Sequence, residues 1–380
     1  MSLEEIRKRI DGIDDKIAEL LVERMECSAE VAKEKAKTKK PVYDPERERQ
    51  KLSFLAEKVG EQNANLTDTL FPLIFDLSKT VQHGVLKGES PIKQIIKTSL
   101  KETPELFPTR PLVACQGVEG AYSQLACEKI FPAGNIMYFS TFDSVFSAVE
   151  QGLCRYGVLP LENSTAGSVN RIYDLMAKHE CYIVRSSRVK INHCLLANHG
   201  ARLGDIKEIY SHEQAIAQCQ HFLQGLKDVK IIPCENTAAA AKSVKESGRS
   251  DVAALSSPNC EALYGLSKLF GDVQDNGGNY TRFICISKSL EIYPGANRTS
   301  LMLVLPAKQG SLYRALSRFN ALGLNLIKLE SRPLAQSDFE FMFYFDLDTP
   351  VYSENFFKLF DALEGAVTSL KYLGSYTEVV

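Results

Sequence analysis

Residues 2–40, SLEEIRKRIDGIDDKIAELLVERMECSAEVAKEKAKTKK, constrain this chain most. Leu3, Ile6, Ile10, Ile13, Ile17 and Leu20 recur at spacings of three and four, which predicts one apolar stripe on a long helix. Continued in threes and fours, the stripe reaches Arg24, then Cys27 or Ser28, Val31 and Lys35. Two cations therefore stand where the pattern asks for apolar side chains. Their separation in sequence, at about 100° per residue, aligns them within roughly 20° on the helix surface. A lone charge on such a seam is costly unless it is paired. Two aligned cations point to an anion held between helices, with carboxylates as natural guests. The spacing leaves a second reading open, in which both side chains reach past the edge of a core helix to water. Arg7 precedes Arg24 by about 25 Å of helical rise. It can share a small molecule with such a site only from a second, antiparallel chain.

Two more helices follow. In KKPVYDPERERQ, Asp44 is placed to cap a helix whose first residue is Pro45, and Arg47 and Glu48 fall in its first turn. A third helix is expected over about residues 68–87, with Phe71, Ile74, Ser78, Val81 and Val85 as its seam and Gln82 one turn beyond Ser78. Pro72 either starts that helix or kinks it. Three helices of unequal length make a poor core alone, which again favours a dimer. Residues 88–109 read as a linker in which prolines bracket a short helical piece.

From Pro111 the pattern becomes α/β. Strand–turn–helix units recur, with two extended runs, Cys181–Arg185 and Val189–Ala197, in between. The turns Gly120–Ser123, Asn163–Ser168, Ser211–His212, Asn236–Thr237 and Ser256–Ser257 lie at helix starts. Several such N-termini converging on one cleft would bind an anion, although each could be an ordinary cap. The arrangement predicts two lobes around a cleft. After Pro294-Gly295 the order is βαββαβ over about 80 residues, a ferredoxin-like unit. It has no nucleophile–base pair, metal cluster or phosphate-binding loop, so it reads as a sensing or pairing module.

Composition narrows the function classes. The 45 basic and 47 acidic residues give a near-neutral chain, which favours neither nucleic acid nor an anionic membrane. No apolar run approaches the roughly 20 residues of a membrane span. The charged start, MSLEEIRKR, lacks the apolar core of a secretion signal. Ten scattered cysteines without a C-x-x-C pair read as reduced residues, so a cytoplasmic location is expected and no metal or cofactor is implied.

The whole chain resembles the bifunctional chorismate mutase–prephenate dehydratases of phenylalanine biosynthesis. Three motif sets carry the resemblance: the seam residues above; GVEGAYS, PLENST, YSHEQAIAQC, Asn236-Thr237 and Thr281-Arg282-Phe283; and the ESRP run Glu330-Ser331-Arg332-Pro333. The resemblance implies a helical mutase domain at 1–90, a linker at 91–109, a two-lobed, periplasmic-binding-protein-like dehydratase domain at 110–290, and a ferredoxin-like ACT regulatory domain at 297–380. It implies that Arg7, Arg24, Lys35, Asp44, Arg47, Glu48, Ser78 and Gln82 contact chorismate, with Lys35 and Gln82 facing the ether oxygen. In the dehydratase, Thr281 would assist the leaving hydroxyl, Arg282 would bind a carboxylate or structure the site, and Glu162, Asn163, Ser164, Ser211 and Gln218 would line the cleft. Phenylalanine would bind at Gly310, Ser311, Leu312 and the ESRP residues between two chains. Ser311 stands where the family usually has alanine. An even-numbered homo-oligomer, at least a dimer, is implied. The rival readings are a fusion to an arogenate-preferring dehydratase and a two-lobed amino-acid sensor without chemistry. A dehydrogenase fusion is disfavoured, since no G-x-G-x-x-G follows a strand.

Overall fold

A computed structural model describes residues 2–86, 90–334 and 341–380. The expected end of the third helix at Lys87, the first residues of the expected linker (88 and 89), and Phe339-Glu340 of the expected FEFMFYFDL strand lie outside the described residues. The chain divides into two compact units. One comprises residues 1–98 and 303–371, the other residues 99–302 and 372–380.

The first unit opens with helix α1, Leu3–Thr38, started by a capping box between Ser2 and Glu5. Its stripe residues Leu3, Ile6, Ile10, Ile13, Ile17 and Leu20 are exposed in the single chain. Farther along, the buried face is Ser28 and Ala32, while Val31 is exposed. Cys27, Ser28, Val31 and Lys35 nevertheless face one cavity together with Arg24, as the stripe expects. Helix α2, Pro45–Val59, is capped by Asp44, which accepts from Arg47 N at 3.0 Å. Helix α3 runs Ala64–Leu86, so Pro72 lies inside it and does not start it. Its buried side is Thr67, Phe75, Ser78 and Gln82. Helix α4, Pro91–Glu102, occupies most of the expected linker and buries Ile96.

Helices and strands of the second unit follow in order: β1 Leu112–Gln116, α5 Tyr122–Ile130, β2 Asn135–Phe139, α6 Phe142–Glu150, β3 Tyr156–Asn163, β4 Gly167–Ser168, α7 Asn170–Lys178, β5 Tyr182–Lys190, β6 Cys194–Ala197, β7 Glu208–Ser211, α8 Glu213–Ala217, α9 Gln220–Gln224, β8 Lys230–Pro233, α10 Thr237–Ser247, β9 Val252–Ser256, α11 Asn259–Tyr264, β10 Ser267–Phe270 and β11 Tyr280–Ser287. Two sheets form two lobes. In the first, β1 is parallel to β2 and β3, and β11 is antiparallel to β3 and β5. In the second the order is β10-β6-β9-β7-β8. The chain crosses between lobes twice, at residues 191–193 and 271–279, and the crossings meet: Ile191 N donates to Asn279 O at 2.8 Å, and Val273 N to His193 O at 3.0 Å. Ser186 and Ser187 do not interrupt β5, which corrects the two separate runs expected there. Both are buried in a nine-residue strand.

The remaining elements are β12 Arg298–Val304, α12 Ser311–Ala321, β13 Asn325–Pro333, β14 Phe341–Asp348, α13 Glu354–Leu363 and β15 Ser369–Val379, the βαββαβ order expected. In the first unit β13 and β14 pair antiparallel, with Glu330 opposite Tyr344 and Pro333 opposite Phe341. In the second, Thr377 lies opposite Arg185 of β5. Gly374 makes that approach possible. Its φ is +137°, and a Cβ there would lie 2.2 Å from the Ile183 carbonyl oxygen. Gly374→Ala should therefore lower stability by about 3 kcal/mol, the upper range for overpacking a core, read as a fall in the urea midpoint. Gly204→Ala, with open space around it, should leave the midpoint unchanged.

Candidate functional sites

Helices α1, α2 and α3 enclose a cavity of about 370 Å³. It gathers Arg24, Lys35, Asp44, Arg47, Glu48, Ser78 and Gln82, together with Lys51, Phe75 and Lys79. Five cations face two carboxylates across the lining. The position of each follows from its helix. Arg24 and Lys35 come from aligned turns of α1, Glu48 from the first turn of α2, and Ser78 and Gln82 from successive turns of α3. Arg24 Nη1 donates to Ser78 Oγ and, at 3.4 Å, to the Ile74 carbonyl, with its guanidinium 5.6 Å from the Phe75 ring centre. Burial pulls the Arg24 pKa down from its ordinary value. The guanidinium stays protonated, since arginine begins so far above neutrality. Lys35 Nζ donates to Val42 O at 2.7 Å. The Gln82 Oε1 atom is buried without a hydrogen-bond partner, the type of group a ligand satisfies. The charge and directed donors of such a pocket suit a small dianion. Arg7 is exposed and outside this chain's pocket.

The second constellation sits where the lobes of the second unit cross over. Strand register puts Thr281 opposite Asn163 and Arg282 opposite Glu162. Asn163 Oδ1 accepts from Thr165 N and Ala166 N at 3.0 and 2.8 Å, which turns its Nδ2 toward Thr281. Nδ2 donates to Thr281 Oγ1 at 2.9 Å and to Asn279 Oδ1 at 2.7 Å. Asn279 Nδ2 then donates to Gln218 Oε1 at 2.9 Å, and His193 Nε2 lies 3.1 Å from the same oxygen. The Thr281 oxygen already accepts a bond, so its own proton is free to donate. Arg282 Nε and Glu162 Oε1 pair at 2.7 Å, with the arginine side chain only 6% exposed. Ser164 Oγ donates to Gly278 O of the crossover at 3.0 Å and accepts from Tyr280 N of β11 at 2.9 Å.

Ser211 is the exception among the residues expected to line this cleft. It is fully buried and donates to Leu255 O at 2.7 Å. Its hydroxyl fastens β7 to the neighbouring strand, which corrects the cleft-lining expectation. The turns Gly120, Thr237 and Ser256-Ser257 do converge: Ser257 Oγ donates to Gly120 O at 3.2 Å and Ser256 Oγ to Thr237 O at 2.7 Å. Asn236 and His212 act as ordinary caps, accepting from Ala239 N and Gln214 N. His193 and Asn279 are the residues that sequence reasoning missed. A lone histidine and asparagine in loops carry no periodic signal.

In the C-terminal βαββαβ segment another cavity, of about 410 Å³, is lined by Lys308, Gly310, Ser311, Leu312, Phe341 and Phe343 among others. Gly310 takes φ +76° at the start of α12, a left-handed turn that favours glycine. Glu330, Ser331, Arg332 and Pro333 lie on β13 and do not line this cavity. Ser331 and Pro333 oppose Phe343 and Phe341, which do.

An all-helical anion pocket joined to a two-lobed α/β domain defines the class. The chain matches the family models for chorismate mutase type II over residues 6–83 and for prephenate dehydratase over residues 113–291. The bifunctional chorismate mutase/prephenate dehydratase of Escherichia coli strain K12 is 31% identical, covering 98% of this chain and 95% of that one. The chloroplastic arogenate dehydratase/prephenate dehydratase 2 of Arabidopsis thaliana is 39% identical over 70% of this chain and 73% of that one. Among solved structures, a prephenate dehydratase in complex with L-Phe from Arthrobacter aurescens matches with TM-score 0.65 and 28% identity, over 70% of this chain and 90% of that one. A protein described as a quorum-quenching acylase, GqqA, matches with TM-score 0.64 and 32% identity, over 70% and 97%. The chain belongs to the bifunctional chorismate mutase/prephenate dehydratase family.

Burial holds the His193 pKa below its ordinary value of 6.5, against the smaller opposing effect of Gln218. Its ring is therefore neutral at pH 7, and Nδ1 is a buried nitrogen without a hydrogen-bond partner. Unfolding exposes an imidazole that gains a proton below pH 6.5, so the unfolded state binds more protons there and stability falls as pH drops. The urea midpoint should decline between pH 7 and about 5.5, and His193→Gln should flatten part of that decline.

Proposed function

We propose that the chain carries out two consecutive reactions, chorismate to prephenate in the helical pocket and prephenate to phenylpyruvate in the α/β domain. The observation that carries this reading is the pocket itself: seven of the eight residues expected from the family motif line one cavity of net positive charge. The first reaction is a Claisen-type rearrangement and needs no nucleophile. It needs the substrate held compact and donors at the ether oxygen as that bond breaks. Arg24 and Arg47 would clamp the two carboxylates. Lys35 and Gln82 would face the ether oxygen. Asp44 would fix the start of α2, while Glu48 and Ser78 would take the ring hydroxyl and a carboxylate side.

In the dehydratase, the C–O bond to the ring hydroxyl breaks as carbon dioxide leaves and the ring becomes aromatic. Thr281 Oγ1–H would give its proton to the departing oxygen, which leaves as water, and would regain a proton from solvent. Asn163 supports that role by donating to Thr281 Oγ1. Arg282, paired with Glu162, would set the local charge, and Ser164 and Gln218 would hold the crossover in place.

The domain division is read as mutase 1–90, linker 91–109, dehydratase 110–290 and an ACT-type regulatory module 297–380. Phenylalanine would inhibit from the cavity beside Gly310, Ser311 and Leu312, with the ESRP residues supporting its wall. Feedback requires two states of different affinity. The exposed apolar stripe of α1 supports a dimer, or a larger even assembly, in which Arg7 completes the partner's pocket. A cytoplasmic location is supported by ten free cysteines, eight of them buried. No helix among the described residues is long and apolar enough to cross a membrane.

A coupled assay tests the reading. Chorismate should disappear and phenylpyruvate follow. Lys35→Ala should lower mutase kcat by at least about a hundredfold and spare dehydration, and Thr281→Ala should do the reverse. Loss of both activities in either variant would contradict the assignment. Arogenate, named for the Arabidopsis relative, is the second reading; turnover of arogenate in place of prephenate would favour it.

A further inference from the structure

Lys79 lines the helical pocket and stands between two carboxylates. Its Nζ is 2.9 Å from Glu48 Oε1 and 2.9 Å from Asp76 Oδ1. Burial alone would lower the Lys79 pKa, but the two carboxylates outweigh it and raise the value. Asp76 also meets the C-terminal segment. Arg318 Nη2 lies 3.3 Å, and Arg314 Nε 3.9 Å, from Asp76 Oδ2. Lys79, Asp76 and Arg318 are all largely buried, with side chains 20%, 15% and 10% exposed. Arg314 further donates to Ser311 Oγ at 3.2 Å, on the wall of the C-terminal cavity. One carboxylate is therefore shared by a cation of the helical pocket and two cations of α12. In a poorly hydrated setting such charges cannot be changed one at a time without moving the others.

We propose that Asp76 is a positioning residue for chorismate binding, set from α12 by Arg318 and acting on the pocket through Lys79 and Glu48. The inference rests on reading the helical pocket as the mutase site. With Arg318 in place, part of the Asp76 charge is engaged by α12 and Lys79 is left to neutralise Glu48. The pocket then keeps its positive excess for a dianion. Without Arg318, Asp76 draws Lys79 toward itself. Glu48 then presents an uncompensated charge to the substrate carboxylates, so KM rises while the bond-breaking step is little changed.

The test is mutase kinetics on the full chain. Arg318→Gln should raise the mutase KM between about twofold and thirtyfold, the span of mutational effects on coupling, with kcat and dehydratase turnover unchanged. Arg318→Lys keeps a cation and should restore most of the affinity, which a packing defect would not allow. In a Lys79→Met background, where the relay is cut, Arg318→Gln should have no further effect on KM. An unchanged KM in Arg318→Gln, or an effect of equal size in the Lys79→Met background, would overturn the proposal. If Arg318→Gln loosens the C-terminal segment, Asp76→Asn probes the relay from its middle. With no charge at that position Lys79 stays with Glu48, so Asp76→Asn should leave KM at or below the wild-type value and abolish the rise caused by Arg318→Gln. A raised KM in Asp76→Asn, or an undiminished Arg318→Gln effect in that background, overturns the proposal. A wild-type chain with no mutase turnover would overturn the assignment of the pocket, and this inference with it.

Discussion

Positive charge held against helix faces by partial burial is the constraint on which the first site depends. Arg24 cannot retreat to water without abandoning Ser78 Oγ, the Ile74 carbonyl and the Phe75 ring. Lys35 is held by the Val42 carbonyl. The helices thus maintain a cation cluster before any substrate arrives. Work that water would otherwise do in reorganising around a developing charge is done during folding. A rearrangement without covalent catalysis can gain from little else.

The α/β domain uses the opposite device. Its centre is a run of neutral amides, Asn163, Asn279 and Gln218, ended by a neutral histidine. Each amide orientation is dictated by the next, and the first is anchored on two backbone N–H groups. Such a chain specifies which way each proton points. That suits a site where a weakly acidic hydroxyl must donate. His193 and Asn279 come from the two crossovers, Asn163 from β3 of one lobe and Gln218 from the end of α8 in the other, so the geometry exists only when the lobes are joined.

Legibility in the sequence tracked how local each signal was. Arg24, Ser78 and Gln82 could be picked out because a polar side chain on an apolar helical seam breaks a periodic pattern. Asp44 and Pro45 were readable because a helix start is a matter of a few neighbouring residues. His193 and Asn279 were not, because residues 86 positions apart meet only through the crossover. Ser211 misled for a related reason. A serine at a strand end resembles a cap, but its hydroxyl is claimed by Leu255 on an adjacent strand. The stripe keeps its phase into the pocket, where Cys27, Ser28, Val31 and Lys35 line one cavity.

The central claim is that the cations gathered in the helical pocket, Arg24 and Lys35 of α1 with Arg47 and Lys51 of α2, select a doubly carboxylated guest. Calorimetric titration of the full chain with a rigid bicyclic dicarboxylate shaped like the compact form of chorismate, and with the same frame bearing one carboxylate, tests it most directly. The dicarboxylate should bind at least about tenfold more tightly, and Arg24→Gln should remove most of that preference. Equal affinity for the two compounds, or a preference untouched by Arg24→Gln, would contradict the account.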